Sequence, residues 1–317
     1  MNGWNRCDGQ TGCHLLGDVL EFLLGQDYAL PFETARIALA LIGTGIAAYF
    51  DAFNNKNIPN WLLYGFLAVA FIANIAAYHE VLTLYAIIGG AAVFGLTYLL
   101  YRTGQWGGAD GFILTSIVLL LPIQPETFLV FKSLTPSFFP FAFVLFINSG
   151  VLFMAYMFLT TIPTAVKALL KKGSVKLGAW LGACLITFAF AIFSYFTQSA
   201  GFFSPNYYLF LTLIVAFVVY YTLFKDSINL SMMAMVPISQ VEEEDLIAIE
   251  KIGPDVVKKY SLVRLVDGGM LKRLKASHLK KVPVYVGLPM YIPFLLAGIL
   301  LSLLVGNVVL FLAGNPF

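Results

Sequence analysis

The sequence predicts an all-α polytopic membrane protein of about eight transmembrane helices, with a small cytoplasmic polar module, part β, before the last helix. Three observations carry this. Hydrophobic residues make up 60% of the 317 positions and charged residues 11%, a balance that excludes a soluble globular chain. Apolar runs about one bilayer crossing long alternate with short polar loops. A single long stretch, Lys225 to Lys281, is polar.

Residues 1–30 form an extracytoplasmic N-terminal segment without the basic start, apolar block and small-residue cleavage site of a secretory signal. Leu15, Leu16, Val19, Leu20, Leu23 and Leu24 recur at helical spacing opposite Asp18 and Glu21, which predicts a short interfacial helix. The cysteines, Cys7, Cys13 and Cys184, contain no C-x-x-C pair. Cys7, Cys13 and His14 are read as an ordinary polar segment ahead of a metal site or disulfide, and no cofactor is expected.

Residues 31–225 are read as the membrane core. The first span runs from about Pro31 to Phe50, with Glu33 and Arg36 placed to pair at its outer end and Asp51 at its inner mouth. Pro59 suits the first turn of the second span, Trp61 to Tyr78. His79 and Glu80 make a minimal turn into the third, Val81 to Tyr101, where Gly89, Gly90 and Gly95 allow close helix approach. Asp110 opens the fourth, which weakens at Pro122 and Pro125. The fifth covers about Phe138 to Thr161, before a basic loop with Lys167, Lys171, Lys172 and Lys176.

The uncharged run Leu177 to Phe224 holds two helices, with a turn near Gln198 to Asn206. Residues 226–285 form the cytoplasmic module, acidic at Glu242 to Asp245, then basic at Lys272, Arg273, Lys275, Lys280 and Lys281. Val282 to Val286 reads as a strand. Residues 286–317 carry the C-terminal transmembrane helix, introduced by Pro289 and Pro293 and ending near Leu312.

Orientation follows from lysine and arginine. With Asp51 and Asp110 at the cytoplasmic face of the cell membrane, sixteen of the nineteen basic residues lie inside, leaving Arg6, Arg36 and Lys132 outside with both termini.

The chain is organised around Gln105-Trp106-Gly107-Gly108-Ala109-Asp110-Gly111, a polar knot leading into the run Phe112 to Leu121. An acid at a membrane helix end is expensive enough to be read as functional. Asp51 ends an outside-to-inside helix and Asp110 begins an inside-to-outside one, so the two meet at one depth if those helices pack together. Such a pair can hold a water. With one carboxyl ionised and the other protonated, the first removes a proton from the attacking water and the second donates to a peptide carbonyl oxygen. Gly107, Gly108, Ala109 and Gly111 let an extended peptide come close to the backbone.

Gly107-Gly108-Ala109-Asp110 at a helix start, with Asp51 before a loop ending Ile58-Pro59-Asn60, resembles the archaeal type IV prepilin and preflagellin peptidases, G-x-G-D intramembrane aspartyl proteases. The tail Val282 to Leu295 is similar to the C-terminal portion of archaeal members. The resemblance implies cleavage of a short basic leader from pilin-like or archaellin-like precursors at the cytoplasmic face, with Asp51 and Asp110 catalytic. Ala109 replaces the motif's second glycine, and Phe112 stands where many members have lysine. No tetracysteine insert is present, so no added methyltransferase is expected, and neither is a nucleic-acid partner.

Two other readings share the acids. A proton- or cation-coupled secondary transporter would use them as a relay, but coupling acids sit nearer the midplane, where a helix is interrupted. A presenilin-like or signal-peptide-peptidase-like protease shares the paired acids, but the Ile58-Pro59-Asn60 loop and the short inner loops argue for the prepilin class. Ser-His catalysis has no G-x-S-x-G to rest on, and Glu242 to Asp245 reads as solvated surface ahead of a leader-binding patch.

Overall fold

In the computed structural model the described residues are 30–313, less 55–56, 105, 127, 129–139, 172–174, 200–204, 244, 276, 278 and 287–288. The N-terminal segment with Cys7, Cys13, His14 and the interfacial helix lies outside them. So do Lys56, Gln105, Lys132, Lys172, most of the 198–206 turn, Glu244 and His278.

The chain is mostly helical. Its apolar helices are α1 (Glu33–Phe53), α2 (Asn60–Ala76), α3 (Glu80–Arg102), α4 (Gly108–Leu120), α5 (Phe141–Leu170), α6 (Leu177–Ser199), α7 (Pro205–Ser231) and α10 (Ile292–Val305). Five of them, α1, α3, α5, α6 and α7, are long and apolar enough to cross a membrane; α2, α4 and α10 are shorter. At 1.5 Å per residue the thirteen residues of α4 reach only about 20 Å against a hydrocarbon core of roughly 30 Å. α4 is therefore too short to cross that core by itself.

α4 is the hub. It packs against α1, α2, α3, α5 and α10, and nine consecutive or near-consecutive positions from Gly111 to Leu120 are buried, which only a helix surrounded on every side can achieve. Small residues make the approach possible. On α1 the buried set Ala40, Gly43, Thr44, Ala47, Ala48 and Asp51 recurs at three and four residues, one face of a helix. Gly90 of α3 meets Leu119, and a Cβ there would stand 2.8 Å from its side chain. Gly298 of α10 lies against Ser149 of α5, where a Cβ would be 3.0 Å from the backbone nitrogen.

Buried polar groups close the far end of this bundle. Arg36 donates to Asn74 Oδ1 and to the Leu120 carbonyl, both at 3.1 Å. Asn74 donates to the Leu119 carbonyl at 2.7 Å. A cation and an amide thus satisfy carbonyls that the α4 C-terminus leaves open, and the cation sits at the negative end of the helix dipole.

Three boundaries differ from the sequence reading. Helix α5 continues through Pro163 to Leu170, two turns beyond the expected end, and Lys167 lies in its last turn where the dipole favours a cation. Helix α7 runs to Ser231, into the stretch assigned to the module. The last apolar segment is broken: α10 stops at Gly306, whose φ of 74° admits glycine readily, and a short α11 (Val308–Ala313) follows. Asn148 of α5 seals the break, donating to the Gly306 carbonyl at 2.7 Å and accepting from Val308 N–H at 3.0 Å.

The polar stretch has a core of its own, built on Ile247, Val266, Met270, Leu274, Val282 and Val284. Strand β2 (Lys281–Tyr285) matches the expected strand and pairs antiparallel with β1 (Met233–Pro237), Met233 facing Tyr285 and Pro237 facing Lys281. Two short helices, α8 (Pro254–Tyr260) and α9 (Gly268–Lys275), complete it. At the acidic run, Glu242 N–H donates to Asp245 Oδ2 at 2.8 Å.

Candidate active site

The knot Trp106 to Gly111 folds as a helix start because its residues suit one. Gly107 is the N-cap of α4, with extended φ and ψ, so Asp110 falls at the third helical position. There its carboxylate turns back and accepts from the Gly107 N–H. This is the acid half of a capping box, which satisfies a donor that the first helical turn leaves open. The geometry also explains Gly107: a Cβ there would stand 2.9 Å from Asp110 Oδ2. Side-chain room for the acid is thus a requirement that the reading of Gly107 as substrate access did not contain.

Asp51 lies in the last turn of α1, buried on the face that carries Ala47 and Ala48 toward α4. The two carboxyls are close enough for the charge of Asp51 to act on Asp110. Helices one and four therefore bring together the acids that the sequence paired. Of the other glycines, Gly111 is buried against Thr97 of α3, where a Cβ would be 2.8 Å from Oγ1, and a Cβ on Gly108 would be 3.3 Å from the Tyr101 ring. Both bring α3 and α4 into contact. Ala109 packs partly buried on the membrane core.

The region carrying these acids can be compared with known proteins. Residues 38–159 match the model of the type IV leader peptidase family. This part of the chain is similar to that family. A curated relative, prepilin peptidase EppA of Methanothermobacter thermautotrophicus, is 30% identical over 128 residues, 38% of this chain and 33% of that protein. The chain thus aligns with about a third of that relative. No solved structure matches.

The leader peptidase region encloses both acids, while the polar module and α10 lie beyond the match. Yet α10 contributes to the site. Tyr291, just ahead of it, is near enough to Asp110 to feel its charge. Its hydroxyl is 2.9 Å from Ser149 Oγ, and its ring meets Trp106 edge-on with centroids 5.5 Å apart. Trp106 also meets Phe146, centroids 6.1 Å apart, so the three rings form one aromatic cluster, of which Tyr291 is within reach of the Asp110 charge. Sequence reasoning named Tyr291 only as part of the tail. No local pattern ties it to Asp110, which is 181 positions away.

The module reaches the same loop. Gly104, at φ 66°, lies between α3 and the knot, and a Cβ there would be 3.1 Å from Leu246 and 3.6 Å from Arg264. Arg264 in turn stacks over the Tyr285 ring, 5.7 Å from its centroid. The Tyr285 hydroxyl bonds Glu250. Burial and that carboxylate push the hydroxyl up to about 12, so it remains a donor throughout the physiological range.

Proposed function

We propose that this protein is a membrane-embedded aspartyl endopeptidase that removes the short basic leader from type IV pilin-like or archaellin-like precursors. The observation that carries the reading is the proximity of Asp51 and Asp110, on helices that meet at α4, inside the region matched by the leader peptidase family. EppA is described as a prepilin peptidase, which supports pilin-type precursors as the substrates here.

Two carboxyls at short range do not both ionise readily, so one member is taken as ionised and the other as protonated. The ionised member accepts a proton from a water lying between them as it attacks the scissile carbonyl. The neutral member donates to the carbonyl oxygen, and the tetrahedral intermediate then collapses with protonation of the leaving amine. Gly107, Gly108, Ala109 and Gly111 are proposed to admit an extended substrate segment beside this pair. All eight apolar helices are proposed to cross or enter the bilayer, with the dyad facing the cytoplasm. The chain is proposed to divide into an N-terminal segment (1–30), a catalytic core (31–225), a cytoplasmic module (226–285) and a C-terminal membrane segment (286–317).

A carrier would place its acids where a helix is interrupted. Here the interruption, at Gly306, has its open groups occupied by Asn148, and the two acids belong to unbroken helices. Co-expression with a pilin-like precursor tests the proposal. Wild type is expected to give a leader-length mobility shift that Asp51→Asn and Asp110→Asn abolish; a shift surviving both substitutions ends it.

A further inference from the structure

Beneath the module lies a cavity of about 180 Å³ that the dyad mechanism does not use. Pockets for small molecules run from roughly 300 to 1,000 Å³, so this one has room for about one large side chain. Phe153 and Met157 of α5 and Ile228 and Met232 around the end of α7 supply apolar wall. Arg264, Asn229 and Tyr285 bring polar groups to the same space.

Its position relates it to the acids. Phe153 lies on the cavity wall and also meets Tyr291, ring centroids 5.6 Å apart. Tyr291 is within electrostatic reach of Asp110. The cavity is thus separated from the dyad by two aromatic side chains, a spacing an extended peptide covers in a few residues at about 3.3 Å each. Two groups of its polar rim have partners within the module: Arg264 lies over the Tyr285 ring and against Gly104 of the loop that leads to Asp110, and Tyr285 is held by Glu250. Fixed donors reduce the ordering cost of binding. Methionines on the wall adapt to side chains of differing shape.

We propose that this cavity is a specificity subsite, taking one large apolar side chain of the precursor near the scissile bond while Arg264 and Asn229 donate to neighbouring peptide carbonyls. The proposal rests on the peptidase reading and extends it: the module is a wall of the substrate site, and side-chain selection draws on Met232, Arg264 and Tyr285, outside the region matched by the family model, together with Phe153 and Met157 within it.

The test uses the full-length protein in detergent and a pilin-like precursor whose residues flanking the scissile bond are replaced one at a time by Ala, Leu, Met or Phe. Wild type is expected to show one position at which the large residues exceed Ala in kcat/KM on the order of 10- to 200-fold, the discrimination a hydrophobic pocket supplies. Met157→Trp, which fills the cavity, should reduce that ratio at least about tenfold at that position and leave the preferences elsewhere as they were. Met232→Ala, which enlarges it, should move the optimum there toward Phe, and decides the matter alone if Met157→Trp does not fold.

Unchanged preference at every position overturns the subsite. So does an equal loss for all substrates, the signature of a structural or lipid-filled cavity. The two readings fail separately. If wild type cuts the precursor and Asp51→Asn does not, the peptidase reading stands whatever the cavity variants do; if wild type cuts no precursor, both fall.

Discussion

Helices α4 and α6 are alike in composition and opposite in circumstance. Both are almost wholly apolar, yet α4 is buried over most of its thirteen residues, whereas in the twenty-three of α6 only Ala183 is. Leu181, Leu185 and Phe188 of α6 are each more than 60% exposed. In lipid, hydrophobicity does not say which face is inside, because the solvent is as apolar as leucine. What distinguishes the two is small and polar side chains on the neighbours. Around α4 stand Gly43, Ala47, Ala48 and Gly90, with Arg36, Asn74 and Asp51 among the buried groups. The α6 and α7 pair instead meets α5 through a small cluster of Ala165, Ala168, Phe224 and Ile228, and meets the short α11 through α7.

That contrast can be pressed from either side. The largest effect belongs at the α4 start, where Asp51→Asn or Asp110→Asn should lower precursor cleavage by about 10²- to 10⁴-fold or more, read by the mobility shift, while leaving the protein folded. At the other end of the same helix, Arg36→Leu strands Asn74 and the Leu120 carbonyl. A loss of about 2 to 4 kcal/mol should follow, measured by SDS titration in detergent.

Gly107→Ala brings a methyl against the Asp110 carboxylate and should cost about 10- to 100-fold in cleavage through misplacement of the acid. Its effect on the unfolding midpoint should be slight. On α6, Leu181→Ala and Leu185→Ala should change stability by less than about 0.5 kcal/mol. A loss above about 2 kcal/mol would erase the contrast, and show that this face packs against another chain.

Much of the membrane architecture was legible because it follows from run length and punctuation. The starts of α2, α3 and α6 and the strand at Lys281–Tyr285 stand within a few residues of expectation. The closeness of Asp51 and Asp110 was legible too, since two acids at the ends of apolar runs are costly unless they have a use. Strand β1 was hidden because it follows α7 directly, with no breaker between Ser231 and Met233. The break at Gly306 depends on Asn148 from another helix, and Arg36 was expected to serve Glu33 at an outer rim, when its bonds run to Asn74 and to the end of α4.

By itself the chain of residues determined that this is a many-helix membrane protein with two acids at helix ends, because burial cost and span length are properties of local sequence. Only the tertiary structure decided that α4 is the hub, that Gly107 makes room for Asp110, and that Tyr291 and the module stand beside the site. Those facts depend on which surfaces meet across long separations, and in a bilayer the apolar surfaces that meet do not differ in kind from those that face lipid.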